Sequence, residues 1–343
     1  MSRSRHNIVK NDVWVPMPRQ LVDNLVYSAE VGAAFEALSP DTPIGERGVR
    51  LSWTDNRLLI AVLLGAFYKT HNGDLVDAPY GPLPAEATAA LGGWSHPAPI
   101  IMMSRQELID YFVLGMDPKV RMPNQEWVER RATRDASRIF NNLVSLASKT
   151  YRFAFWADTK PRTSDPTDIL RGARIVSSNL IDVQIHRKTE SAPVRAVSVA
   201  LSPLLTIDVN ARHANLAVTR TGFLGVPATM PRRIGDVLNR RRGKTSDELP
   251  RLYYTLLRLV EHRNRINIKT LAERIAPHLL TPQNDTNTQW KRFAMRVENH
   301  FTTLEAAGLL SQSGTMDLRK DASETTWEGF TVIRPARTKH TKT

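Results

Sequence analysis

The chain has 343 residues, 41% hydrophobic and 24% charged, which is enough for two ordinary domains with real cores. It has no cysteine, which excludes disulfides, thiolate metal sites and cysteine nucleophiles. Its 47 Lys and Arg against 34 Asp and Glu give a net charge of +13, a balance that favours polyanionic partners.

The longest apolar run, 58–67, is far shorter than the roughly 20 residues that cross a bilayer. The opening MSRSRHNIVKNDVW has no apolar leader core. The expectation is therefore no membrane partner and a cytoplasmic, nucleoid-associated location. Residues 230–300 hold 15 Lys and Arg against 7 Asp and Glu, so over half the excess charge is concentrated there.

In chain order, residues 1–50 read as an N-terminal extension with weak helical periodicity at 20–38. Ser52 or Thr54 is placed to cap a helix running to about residue 68, with Leu58, Leu59, Val62, Leu63 and Ala66 inward. Residues 70–100, carrying several Pro and Gly, read as an inserted loop with a short helix at 85–91. Ser104 followed by Glu107 is a capping-box pattern opening a short helix that ends near Gly115. A long helix is then expected over 124–148. Its apolar side is Ala132, Ala136, Ile139, Phe140, Leu143 and Leu146; its other side carries Arg130, Arg131, Arg134, Arg138, Asn141 and Asn142. Trp127 falls on that basic face, where it either packs or stacks on sugar. Strand-like segments follow at 151–156, 174–186 and 194–201, with a long hairpin loop at 157–172.

Residues 202–229 carry no clear signal. Residues 230–245 read as a basic linker, helical over 230–239 and ending in Arg240, Arg241, Arg242 and Lys244. The order then repeats: helix 247–261, a short extended piece at 265–267, helix 268–276, a loop, helix 286–307, and strands 309–313 and 327–334 around a polar turn. A basic tail, 336–343, closes the chain.

In helix 286–307, at about 100° per residue, Trp290, Phe293, Ala294, Val297, Phe301 and Leu304 fall on one stripe. Opposite them project Thr288, Gln289, Lys291, Arg292, Arg296 and Asn299. Lys and Arg neutralise phosphates, while Gln, Asn and Arg hydrogen-bond base edges in the major groove. A plain solvated face is the alternative; the neighbouring elements favour nucleic acid. Helix, short helix, long basic-faced helix and hairpin is the order of a winged helix. The expected fold is α+β, mostly helical, with two tandem winged-helix domains at 51–229 and 246–335. Loops 159–162 and 314–320 would be the wing tips, presenting Lys160, Arg162, Arg319 and Lys320.

This order, with LSWTDNRLLIAVLL at 51–64, VSVALSPLL at 197–205, RLYYTLLRLV at 251–260, INIKTLAERI at 266–275 and LEAAGLL at 304–310, resembles a known family. It is similar over roughly 51–335 to the tandem winged-helix replication initiators of iteron-containing plasmids, the RepE/RepA/TrfA type. The chain departs from them in the insertion at 70–100, the loop at 157–172 and the connection at 206–245. The resemblance implies that Gln289, Lys291, Arg292, Arg296 and Asn299 read the major groove. It also implies that Arg130, Arg131, Arg134 and Arg138 add contacts from a first domain that contacts DNA or dimerises. Repeated origin sites in double-stranded DNA would be bound and an AT-rich segment opened, with a host initiator and replicative helicase recruited. A homodimer is part of the same implication.

Catalytic patterns are weak. The GKT triplet at 243–245 would need Gly at 238 to form a phosphate loop, and Leu238 stands there. None of the nine histidines forms the His-apolar-His pair of nicking enzymes. Asp208, Asp236, Asp247 and Glu248 do not cluster as a two-metal site would require. No catalytic residue, metal or cofactor is expected. A transcriptional repressor of the same architecture and a DNA-processing enzyme, recombinase or nicking initiator, remain the alternatives.

Overall fold

The computed structural model describes residues 13–18, 53–72, 100–115, 137–156, 173–202, 223–240, 248–259, 264–280 and 286–334. The expectations at Trp127, Arg130, Arg131, Arg134, Lys160, Arg162, Arg241, Arg242 and Lys244 lie outside these residues. The chain is α+β and divides into two compact units, 15–223 and 224–343 together with 1–14.

After strand β1 (Trp14–Pro18), the first unit is built around helix α1 (Trp53–Asn72). Every side chain from Leu58 to Leu64 is buried, so this segment is enclosed on all sides, not on one stripe. The buried Asp55 at its start pairs with Lys149 at 2.6 Å. Arg57 donates to the Phe112 carbonyl at 3.2 Å with its guanidinium over the Phe112 ring. Strand β2 (Ile100–Ser104) buries Ile101 and Met103 by alternation and runs straight into helix α2 (Arg105–Leu114). The expected capping box is present: Ser104 Oγ accepts from Glu107 N, and Ser104 N donates to Glu107 Oε2. Gly115 ends the helix at φ 65°, in the left-handed region that glycine enters without strain.

Helix α3 (137–147) buries Ile139, Phe140, Leu143 and Leu146, as its periodicity predicts. Strands β3 (Thr150–Trp156) and β4 (Ala173–Asn179) pair as a separate ribbon. The expected single strand 174–186 is broken at the buried Leu180, and β5 (Ile181–His186) joins β6 (Ala196–Leu201) and β2 in a sheet ordered β2-β6-β5.

Strand β7 (Phe223–Pro227) leads into helix α4 (Met230–Arg240), which occupies most of the stretch expected to be a linker. It is packed: Met230, Ile234 and Val237 are buried, and Arg233 reaches the Gly308 carbonyl at 3.5 Å. The apolar spacing at 230, 234 and 237 gives the helix a face to bury. Next come helix α5 (Glu248–Arg258), strand β8 (Arg265–Asn267), helix α6 (Ile268–Ile275), a 3-10 turn (Pro277–Leu280) and helix α7 (Asn287–Ala306). Strands β9 (Leu310–Gln312), β10 (Thr315–Asp317), β11 (Thr326–Glu328) and β12 (Thr331–Val332) follow. They form one hairpin, because Gln312↔Thr331 and Thr315↔Glu328 keep one register across the break. The outer part joins β8 in the order β10-β11-β8.

The two units repeat one junction. In the first, Ser104 ends the strand, pairs with Ala196 and caps the following helix, while Arg105 N donates to Arg195 O at 2.8 Å. In the second, Asn267 pairs with Thr326 and caps its helix, and Ile268 N donates to Thr325 O at 2.9 Å. Both times a strand leads directly into a helix, and the last strand of a hairpin holds that strand in the same register. The sequences at the junction differ, so the repeat lies in the backbone.

Gly314 and Gly329 sit where the hairpin is interrupted, at φ 74° and 76°. A Cβ on Gly314 would run into the Glu328 carbonyl oxygen and lie 2.7 Å from Phe330 N. Gly314→Ala is therefore expected to lower stability by roughly 1–3 kcal/mol, measured by denaturant unfolding. A loss under about 0.5 kcal/mol, the usual range for an unconstrained surface change, would show that the hairpin tolerates a side chain there.

Candidate nucleic-acid interface

Helix α7 begins at Thr286, whose hydroxyl accepts from Gln289 N at 3.3 Å. All six residues of its apolar stripe are buried. Trp290 is core, meeting Phe293 edge-on, and Phe301 stacks on Trp327 of the hairpin at 4.8 Å. This packing fixes the rotation of the helix. Thr288, Lys291, Arg292, Met295, Glu298, Asn299 and Thr302 are turned to solvent, while Gln289 is partly covered.

Arg296, expected on that open face, lies on its flank. Its Nε is 2.9 Å from Glu248 Oε2 and its guanidinium lies against the Phe293 ring. At about 100° per residue, position 296 is about 100° from Val297, the centre of the stripe, and on that flank α5 supplies Glu248 as its partner. His300 reaches the same carboxylate at 3.2 Å. Lys291 and Arg292 have no ion-pair partner among the described residues, so their charge is available. The helix is also graded, with Lys291 and Arg292 in its first half and Glu298 and Glu305 in its second.

The hairpin turn is tied to the cationic end. Asn287 Nδ2 donates to the Lys320 carbonyl at 3.3 Å, and its Oδ1 accepts from Ala322 N at 2.8 Å. Lys320 is exposed there, whereas Arg319 is paired with Asp317. Hydrogen bonds from Ser323 hold the Asp321 carboxyl below its ordinary range, and Lys269, at the start of α6, adds to this. One surface thus joins Lys269, Lys320, Lys291 and Arg292, with Asn299 further along the helix. It can pair with phosphates at its edges and hydrogen-bond flat polar groups from its middle.

In the first unit, of the four expected arginines only Arg138 is described, and it is exposed on α3. Arg240 is the last residue of α4. The hairpin that matches β10–β11 is β5–β6, not β3–β4, so the equivalent turn is 187–195. Arg187, Lys188 and Arg195 are exposed on it. Sequence reasoning passed over them; the available signal was two alternating segments around the polar KTESAP. Among the described residues no three His, Asp or Glu side chains gather as a metal site, and no helix is long and apolar enough to cross a membrane. No family model, curated protein or solved structure matches the chain.

Proposed function

We propose that the chain is a sequence-specific binder of double-stranded DNA, built of two tandem winged helices and acting without catalysis. The observation that carries this reading is the open cationic face of α7, with the hairpin turn fastened beside its N-terminal half. That is the part of a recognition helix that meets base edges. The repeated strand–helix–hairpin junction supports a second docking module in the first unit. Two modules on one chain raise affinity through effective concentration.

Within that reading the favoured role is a replication initiator that grips repeated origin sites, opens the neighbouring duplex and recruits a host initiator and helicase. A repressor would share the architecture and differ in where its site lies. The test incubates the purified chain with supercoiled DNA spanning its own coding region and flanks, with Mg²⁺, and follows binding and strand state together. Retarded, uncut DNA with local melting beside directly repeated motifs is expected. Log affinity should fall linearly with log salt, as for any binder that displaces several phosphate counterions. Nicked or covalently joined product would replace this reading with an enzymatic one, and salt-independent binding would remove the phosphate contacts.

A further inference from the structure

We infer that Met295 is a specificity-determining contact to a thymine methyl group in the major groove, an inference that rests on the duplex-binding reading above. Among the described residues Met295 is the most exposed large hydrophobic side chain, at 63%. It stands about 160° from Val297, at the centre of the open face. Lys291 and Arg292 precede it by four and three residues, and Glu298 and Asn299 follow by three and four, so these four are its surface neighbours.

An apolar side chain set among two cations, a carboxylate and an amide does not suit an apolar protein groove. A DNA groove offers both halves of the match: phosphates for the cations, and the thymine C5-methyl as the apolar group on a base edge. Methionine, unbranched and polarizable, adapts its shape to such a small target.

The experiment uses the full chain and a duplex pool randomised over about two helical turns. The bound fraction is sequenced, and each thymine of the selected duplex is then replaced singly by deoxyuridine, which lacks only the methyl. At one or two positions affinity is expected to fall about three- to fivefold, the effect of one buried methyl group. Met295→Leu keeps that sensitivity. Met295→Ala and Met295→Gln lose it, with thermal unfolding unchanged because the side chain is exposed. Equal binding of thymine and deoxyuridine at every position overturns the inference while leaving duplex recognition intact. So does a Met295→Ala protein that remains sensitive, or one that changes only its oligomeric state. A pool from which no sequence is selected overturns the duplex reading and this inference with it.

Discussion

Arg292→Ala is expected to weaken binding to the selected duplex by about 5- to 150-fold, the 1–3 kcal/mol of a good bidentate base contact. Arg296→Ala is expected to cost less than Arg292→Ala, since its guanidinium is already held at Glu248 and against Phe293. The two arginines are one turn apart, yet their surroundings differ. Arg292 is exposed with no charge partner among the described residues, and Arg296 is held beside Glu248 and Phe293. Titrations on selected and random duplexes separate the roles: Arg292→Ala should lose more on the selected one and relax preference locally. Neutralising Arg240, Arg241 and Arg242 together should weaken both duplexes alike and flatten the salt slope. An Arg296→Ala loss equal to that of Arg292→Ala would mean that the Glu248 pair opens on binding.

Phe301→Ala is expected to destabilise the C-terminal unit by about 3–5 kcal/mol, the usual cost of truncating a buried Phe. Phe301 is fully buried, stacks on Trp327 with ring planes 6° apart and meets Phe330 at 5.5 Å. It therefore joins the C-terminal half of α7 to the hairpin. Because a domain is stable by only about 5–15 kcal/mol, the variant should show an earlier unfolding step for this unit. DNA affinity should fall with temperature well before the rest of the chain unfolds. Calorimetry and binding followed over the same temperature range test this; a single unshifted transition would mean that α7 is anchored elsewhere.

Arg334 is a quieter anchor. Its guanidinium donates to the carbonyls of Leu256, Leu257 and Leu259 at the end of α5, satisfying helix-end acceptors that have no partner within the helix. This ties the strand end after β12 to α5 of the same unit. Nothing in the local sequence around Arg334 marks such a role.

Amphipathic spacing was sufficient to place α7 and its buried stripe, because a helix with one apolar face has one way to bury it. The capping box at Ser104 and the helix end at Gly115 are likewise local backbone chemistry, carried by a few neighbouring residues. The strand β2 was hidden because five residues in a Pro-rich surrounding become a strand only through their pairing with β6. The same holds for β10, a polar segment that β11 recruits. Which hairpin continues each unit's sheet, and that Arg296 faces Glu248, was decided by tertiary structure. Those outcomes depend on partners far apart in the chain, and periodicity records only a residue's angle on its own helix.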